Sequence, residues 1–551
     1  MNEPRVIKRK KVIVGPIGKQ SRVVMPMAVA LGLLLATLVG CKKVAEKPMA
    51  DPAGKEASTA FAEPETTFLG KKAAALAADR GGDSGFLLMD RGKTALAWRT
   101  ILADSAEKSI DAQYFLWKND EAGKVMMHRL MSAADRGVRV RVLIDDSMTD
   151  SDPQYLAQFG AYPNVELRLY KPFGPKHKSL VMRWIDYVAD LRVLNRRMHN
   201  KLYLVDDSFA VAGGRNIGSD YFEYPAPFTF RSRDLLALGP VIDTAGEAFD
   251  LYWNSDWTVP IADVVTPVPT VEDAKALKAS LDDFAKEDSS YPPGFYDDSS
   301  RIEEEMAALE EHLHWGKGHL LMDAVPEKDG KAQTHAELDK TGVVLGQIAK
   351  ETTDQLYVQS AYLILLPETM KGLGEMVGRG VEVNLATNSM AANNHLSAFV
   401  GYRKQRKELL ETGAAVFEMR PDAVEQSALY TAEQLEEHNT VFGLHAKTVV
   451  FDRKVAFVGS FNLDPRSVNL NTEMGWLVES ESLAEAVAQS IEKDIAAGNS
   501  WQVILKDDGH PEWITIVDGK VIVEAEKEPM TSAARRAEAD ALAIVPDDAQ
   551  L

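Results

Sequence analysis

An internal repeat divides the sequence into two similar parts. A short run typical of a β-strand holds Gln113, and a second such run, 246 residues later, holds Gln359. Each run leads into a segment with helical periodicity, then a glycine (Gly137 or Gly380) and another strand-like run. Glycine suits the left-handed backbone that often ends a helix. Two copies of one β-α-β unit predict an α/β fold of two tandem sandwich repeats.

A polar motif recurs with the same 246-residue separation. Each copy reads His-x-Lys-x4-Asp, and an asparagine follows each histidine by 17 residues. One copy would be weak evidence, because a histidine at the end of a strand is often only structural. Two copies in register within a repeat are very improbable by chance. The residues are His199, Lys201, Asp206 and Asn216 in the first part and His445, Lys447, Asp452 and Asn462 in the second.

The spacing within each motif has a chemical meaning. Residues two apart on a β-strand point to the same side, so the histidine and lysine of each motif are expected to project together. A hairpin would bring the asparagine beside them. Each half then offers an imidazole, an ammonium and an amide, which suit a phosphate group. Acid–base cleavage of a phosphodiester needs two titrating groups, so we expect the two motifs to face each other in one site.

These residues resemble the paired HKD motifs of the phospholipase D superfamily, and the resemblance extends over about residues 85–505. Four segments are most similar to bacterial cardiolipin synthases of the C type: 195–201, 213–218, 460–467 and 470–473. The resemblance implies phospholipase-D-like α/β sandwich repeats with the active site at their interface. It also implies a phosphatidyltransferase that makes cardiolipin from phospholipids without a metal or other cofactor.

The family mechanism, carried onto the matching positions, assigns a role to each residue of the motifs. His199 is expected to attack phosphorus and form a phosphohistidine. His445 is expected to protonate the departing alcohol and then to deprotonate the incoming one. The pentacoordinate phosphorus would be stabilised by positioned cations and amides. These groups are Lys201, Lys447, Asn216 and Asn462.

Carboxylates that orient the imidazoles are also implied by the resemblance. Glu473, 28 residues after His445, is expected to hold that histidine. Asp234, 35 residues after His199, is the expected equivalent in the first repeat, where the spacing is longer.

Four further positions are assigned by the same resemblance. Asp206 and Asp452 are expected to be structural members of their motifs, directed away from the phosphate. Ser460 would add a hydroxyl contact that Gly214 cannot provide at the matching place in the first repeat. The histidines of the segment 312–319 could suggest a metal, but a zinc set usually shows tighter partners.

The beginning of the chain resembles a bacterial lipoprotein signal. A basic segment precedes the apolar run 23–39, and the only cysteine, Cys41, follows Leu-Val-Gly. This pattern predicts cleavage before Cys41 and its lipidation. The alternative is an uncleaved membrane anchor. The lipoprotein interpretation places the protein in the bacterial cell envelope, facing the periplasm, and Lys42 after the cysteine favours the outer membrane.

These features define six expected regions. They are a signal peptide (1–40), a flexible tether (41–66), the first repeat (67–264), a connecting helical segment (265–317), the second repeat (318–505) and a C-terminal extension (506–551).

The charge of the chain bears on its substrate. A formal net charge of −20 argues against nucleic acid, because contact with its phosphates needs clustered lysine and arginine. The expected partners are a bacterial membrane and phospholipids, namely phosphatidylglycerol and, as a further candidate, phosphatidylethanolamine. A basic stretch with interleaved apolar residues, 171–201, is either an interfacial lipid-binding element or a helix that covers the sheet. A hydrolytic phospholipase D and a secreted phosphodiesterase or nuclease remain the alternative activities.

Overall fold

The computed structural model describes residues 55–146, 153–172, 196–287, 299–326, 340–517 and 519–544. The predicted signal peptide, the lipidation site at Cys41, and much of the tether and of the basic stretch at 171–201 lie outside these ranges. Within the described ranges, no helix combines the length and the apolar character needed to cross a bilayer.

Strands and helices alternate in the first part of the chain, as the sequence predicts. The strands are β1 (Ser84–Met89), β2 (Ser109–Tyr114), β3 (Arg139–Asp145), β4 (Val165–Tyr170), β5 (Leu202–Val205), β6 (Phe209–Gly213), β7 (Phe228–Arg231), β8 (Asp234–Leu238) and β9 (Thr258–Pro260). The helices are α1 (Phe68–Ala77), α2 (Gly92–Ser105), α3 (Glu121–Asp135), α4 (Pro153–Gly160) and α5 (Ile242–Trp253), followed by α6 (Val271–Glu287) and α7 (Ser299–His312) in the connecting region.

The second part repeats this arrangement and then continues beyond it. Its strands are β10 (His314–Met322), β11 (Gln355–Gln359), β12 (Glu382–Asn388), β13 (Ala415–Met419), β14 (Val441–Leu444), β15 (Thr448–Phe451), β16 (Val455–Gly459), β17 (Met474–Glu479), β18 (Ser500–Leu505), β19 (Pro511–Val517) and β20 (Lys520–Ala525). Its helices are α8 (Thr341–Glu351), α9 (Pro367–Gly378), α10 (Leu396–Glu411), α11 (Val424–Ser427), α12 (Ala432–His438), α13 (Pro465–Asn469), α14 (Glu481–Ile495) and α15 (Ala533–Leu542).

Eighteen of the described strands form one continuous sheet. The first repeat runs β9-β4-β3-β2-β5-β6-β8-β1, and the second runs β10-β17-β16-β15-β11-β12-β13-β18-β19-β20. The antiparallel pair β1–β10 joins them. Counted outward from this pair, the two orders match strand for strand as far as β9 and β18. The predicted α/β class and the two repeats are therefore confirmed.

Helices cover both faces of the sheet and create separate cores. The first repeat has its own apolar core, and so has the second. A third core is shared between the repeats, where α5 of the first and α14 of the second pack against the middle strands. Trp253 and Trp476 are fully buried there. Because this shared core needs residues from both repeats, the packing holds them in one fixed relation.

The glycines of the repeat occupy the predicted helix ends. Helix α3 begins after Asp120, whose side chain accepts the backbone N–H of Gly123 at 3.0 Å. It ends before Gly137, which has a φ of +91°. Helix α9 ends before Gly380, which has a φ of +93°. Residues with side chains rarely adopt this backbone conformation, so both glycines are required by the turn into the next strand.

The aspartates of the two motifs support the scaffold, as the family resemblance implied. Each follows a motif strand (β5 or β15), and its carboxylate accepts three backbone N–H groups at the start of a neighbouring strand (β2 or β11). Such an arrangement ties a hairpin turn to the sheet. Asp206 accepts from Glu107, Lys108 and Ser109 at 2.8–2.9 Å, and Asp452 accepts from Thr353, Asp354 and Gln355 at 2.8–3.3 Å.

Candidate active site

The first motif lies against the second repeat. Met198 forms an isolated β-bridge with Thr472, and the backbone N–H of His199 donates to the carbonyl of Thr472 at 2.9 Å. Strand β5 begins only at Leu202, so His199 and Lys201 precede the strand. The prediction that they lie on it was wrong, because the segment is held by contacts to the other repeat and not by the sheet.

The second motif is bound to the first repeat in a similar way. The backbone N–H of His445 donates to the carbonyl of Arg231 at 2.7 Å. His445 and Lys447 lie between the end of β14 and the start of β15, again outside the strands. Beside them, β14 pairs in parallel with β7 of the first repeat. Each catalytic segment is thus held by the opposite repeat, and the two motifs are brought together at the interface.

Glu473 binds the imidazole of the other repeat. Its Oε2 lies 2.8 Å from Nδ1 of His199, and the hydroxyl of Ser460 donates to the same oxygen at 2.5 Å. The predicted pairing of Glu473 with His445 was therefore wrong. The physical reason is the crossing of the segments, which places His199, and not His445, beside the loop that precedes β17.

Asp234, unlike Glu473, does not hold an imidazole. Its carboxylate accepts from the Arg99 guanidinium at 2.9 Å and from the backbone N–H of Arg215 at 3.1 Å. It is fully buried and neutralised by these arginines. Its predicted role as the partner of His199 is corrected to a structural one.

The second imidazole is held by a main-chain oxygen. Nδ1 of His445 lies 3.1 Å from the carbonyl oxygen of Gly214 and 3.1 Å from Nζ of Lys447. With its proton on Nδ1, the ring donates to this carbonyl, which can only accept. The charge of Lys447 lowers the pKa of His445. Lys447 instead donates to the carbonyl of His445 at 2.8 Å. Among the described residues, no carboxylate binds this imidazole.

Burial and mutual repulsion shift the titration of the whole site. Burial, reinforced by Lys201 and Lys447, holds the pKa of His199 well below its usual range. The pKa of His445 is also held well below its usual range, by burial and by Lys447, Lys201 and His199. Burial lowers the pKa of Lys201 to about 7 and raises that of Glu473 to about 7. Each motif thus affects the titration of the other, and the cluster of basic groups favours an anionic ligand.

The two asparagines supply unsatisfied amides. Both are buried, and the Oδ1 atom of each makes no hydrogen bond to any described residue. Nδ2 of Asn216 donates to the hydroxyl of Tyr221 at 3.1 Å. Rotation about the last side-chain bond exchanges oxygen and nitrogen, so either group can face a ligand. Buried amides without partners are costly, and a phosphate oxygen would satisfy them.

Aromatic rings around the imidazoles were not predicted from the sequence. Phe115 lies edge-on to His199 with ring centroids 5.1 Å apart. Tyr221 and Phe230 approach His445 at 5.1 and 4.8 Å. They limit the rotation of the imidazoles and lower the polarity around them. A weak signal existed, because Phe115 is the last residue of the strand-like run that holds Gln113.

A buried ionic network was also missed. Nε of Arg231, whose carbonyl binds the His445 backbone, lies 2.8 Å from Asp494. Arg233 lies 2.6 Å from the same carboxylate, and Nε2 of Gln359 donates to it at 3.0 Å. The network crosses the repeat interface and fixes the chain that positions His445. Gln359, the counterpart of Gln113 in the second repeat, therefore supports the segment that carries His445.

Within the described residues, no group of three or more His, Asp or Glu side chains is arranged to hold a metal ion. His314 lies 3.1 Å from the hydroxyl of Ser482, and His319 of β10 is paired with Leu477 of β17.

Comparison with known proteins identifies the family of the chain. The family model described as "Cardiolipin synthase, PLD-like domain" matches residues 100–226 and 345–495. Cardiolipin synthase C of Escherichia coli K12 is 33% identical over 86% of this chain and 97% of its own length. A cardiolipin synthase of Staphylococcus aureus N315 is 23% identical over 72% of this chain and 64% of its own length.

A solved structure shares the fold. The crystal structure of phosphatidylserine synthase from Haemophilus influenzae Rd KW20 aligns with a TM-score of 0.50 and 12% identity, covering 78% of this chain and 91% of that one. The chain therefore belongs to the phospholipase D superfamily. Within it, the predicted class of enzyme, a phosphatidyltransferase similar to cardiolipin synthases, is confirmed.

Proposed function

We propose that this enzyme makes cardiolipin by moving a phosphatidyl group from one phospholipid to phosphatidylglycerol, through a covalent intermediate on His199. The observation that supports this most directly is the contact between Nδ1 of His199 and Glu473. A carboxylate at Nδ1 keeps the proton there, which leaves the lone pair of Nε2 free to attack phosphorus.

The first step forms a bond between Nε2 of His199 and phosphorus and breaks the bond from phosphorus to the head-group oxygen. The departing alcohol takes a proton from Nε2 of His445. The pKa of His445 is held well below its usual range by burial and by the charges of Lys447, Lys201 and His199. The bound phosphodiester is an anion beside His445, so it raises the pKa of His445 and favours the protonated imidazole that acts as the acid.

The second step reverses these roles. A hydroxyl group of phosphatidylglycerol loses its proton to His445 and attacks phosphorus. The bond to His199 breaks, and cardiolipin leaves. The donor is phosphatidylglycerol, which releases glycerol, or phosphatidylethanolamine, which releases ethanolamine. The difference between the two imidazoles supports this order, because Glu473 can balance the positive charge of a phosphorylated His199, whereas the neighbours of Nδ1 of His445 are a carbonyl and the amino group of Lys447.

The reaction is proposed to need no metal, because side chains of the chain can do the work of a cation. Lys201 and Lys447 are buried beside the imidazoles, and Asn216 and Asn462 add amides. Together they can neutralise the charge that develops on the phosphoryl oxygens. Activity should therefore persist after treatment with a strong chelator, and a loss restored by Mg²⁺ or Zn²⁺ would contradict this part of the proposal.

The test of the activity is a product analysis. Purified full-length protein is incubated with vesicles of phosphatidylglycerol, with and without phosphatidylethanolamine whose head group is isotopically labelled, and the lipids are identified by mass spectrometry. Cardiolipin is expected, and labelled ethanolamine in solution would identify the second donor. Phosphatidic acid without cardiolipin would instead show a hydrolase. Digestion of DNA that is lost in a His199→Ala variant would show a nuclease.

We also propose that the enzyme is anchored in the bacterial cell envelope through a lipid on Cys41 and faces the periplasm. The position of the only cysteine after an apolar run supports this. A Cys41→Ser variant should fail to incorporate a labelled fatty acid and should leave the membrane fraction while remaining active on micelles. Unchanged membrane association and labelling would contradict the proposal.

A further inference from the structure

An apolar groove lies in the second repeat, between helices α8 and α9 and the sheet beneath them. It encloses about 780 Å³. Its wall is mainly hydrophobic, and its members come from both helices, from β11 and from the loop after β16. Six of them are Leu345, Val358, Ile364, Met376, Phe461 and Val468.

Two glycines line the groove, Gly346 of α8 and Gly372 of α9. Beyond its own helix backbone and chain neighbours, a Cβ atom added at either would meet nothing within 4 Å. Gly346 is exposed and Gly372 is half-buried, so a larger side chain has room at both places. Neither has a positive φ, so neither is required by the backbone conformation.

At one end of the groove, wall residues contact the segments that carry Glu473 and Asn462. Its wall includes Asp323, Asp464 and Ser467. Asp323 accepts the backbone N–H of Glu473 at 3.1 Å, and Asp464 accepts that of Ser467 at 2.7 Å. Phe461, another wall residue, stands between Ser460 and Asn462 in the sequence. From there the groove follows β11 to Leu356 near the strand's beginning. The five residues of that strand span about 17 Å.

We propose that this groove holds one acyl chain of the phospholipid whose phosphate is at the catalytic histidines. The inference rests on the proposed function, because it assigns part of the same substrate. A mainly apolar groove whose end lies next to the segments of Glu473 and Asn462 has the chemistry to take an acyl chain. Each methylene that leaves water for its apolar wall contributes about 0.8 kcal/mol.

The test uses phosphatidylglycerols with chains of four to seven carbons, at concentrations where they are monomers. For the wild type, kcat/KM should rise with each added methylene, by up to about fourfold, as the groove fills. Gly346→Phe and Gly372→Phe place a large side chain in the wall of the groove, from α8 and from α9. In both variants the rise should disappear, and denaturant unfolding should match the wild type, which shows that the proteins are folded.

Gly378→Phe is the matched control. It lies at the exposed end of α9, where an added Cβ also meets nothing, but it does not line the groove. This variant should keep the wild-type dependence on chain length. The inference is overturned if the two groove variants keep that dependence, or if the wild type shows none.

A binding measurement separates this inference from the proposed function. Calorimetry with the His199→Ala variant should show affinity for monomeric phosphatidylglycerol that increases with chain length, and the increase should vanish when Gly346→Phe is added. If cardiolipin is not formed but this binding pattern is seen, the proposed reaction fails and the groove stands. If cardiolipin is formed but affinity is independent of chain length, the groove assignment fails alone.

Discussion

Replacing Glu473 with glutamine tests the pairing on which the mechanism depends. The carboxylate accepts hydrogen bonds from His199 and Ser460, and it would face a positive ring once His199 is phosphorylated. A hydrogen bond to a charged partner contributes about 1.5–3 kcal/mol. Since glutamine keeps the shape but loses the charge, kcat should fall about 10- to 150-fold.

The same substitution should stabilise the fold in alkaline solution. Burial raises the pKa of Glu473 from 4.5 to about 7, which corresponds to about 3 kcal/mol. The folded state therefore holds this proton more strongly than the unfolded state, and the wild type loses stability as the pH rises from about 4.5 to 7. Glutamine does not titrate. The variant should be about 1–3 kcal/mol more stable at pH 8 and close to wild type near pH 5.

Two measurements check this prediction: turnover of phosphatidylglycerol across pH 6–8, and denaturant unfolding at pH 5 and pH 8. The wild-type kcat/KM should decrease as the pH falls through 7 and Glu473 becomes protonated, and this decrease should be absent in the variant. Asp234→Asn is the control, because it removes the carboxylate that sequence spacing had assigned to His199. Because Asp234 also raises the pKa of Lys201, this control is judged from kcat at one pH and not from the pH profile. At pH 8, Asp234→Asn should stay close to wild type while Glu473→Gln loses activity, and the reverse result would refute the pairing seen in the structure.

Three other perturbations have defined outcomes. Changing His199 or His445 to alanine should each lower phosphatidyl transfer on the order of 10³-fold or more, with little further loss in the double variant, as measured with labelled lipid; additive losses would contradict a shared role. Asp494→Asn should cost up to about 3–5 kcal/mol in denaturant unfolding, because the buried Arg231 and Arg233 then keep only Asp90 as a carboxylate partner, and wild-type stability would disprove this. Asp206→Ala should cost about 1–3 kcal/mol by leaving backbone N–H groups unpaired, with kcat of the folded enzyme unchanged.

Much of the architecture follows from patterns that are local in the chain. Strand and helix periodicity and the glycines at helix ends depend on neighbouring residues, so β2, β3, β11 and β12 were predictable. The catalytic residues were predictable too, because the repeat doubles a short motif. The position of each motif residue relative to its strand was less predictable. The sequence pattern placed His199 on a strand, but contacts to Thr472 hold it in an extended segment before the strand begins.

The chain's own sequence thus determined that there are two similar α/β repeats, and that each provides a histidine, a lysine and an asparagine. Only the tertiary structure decided which groups surround each imidazole. His199 and Glu473 are 274 residues apart, and His445 and Gly214 are 231 apart. Spacing within one repeat carries no information on such pairs, because they arise when the shared core fixes the repeats against each other and their catalytic segments cross.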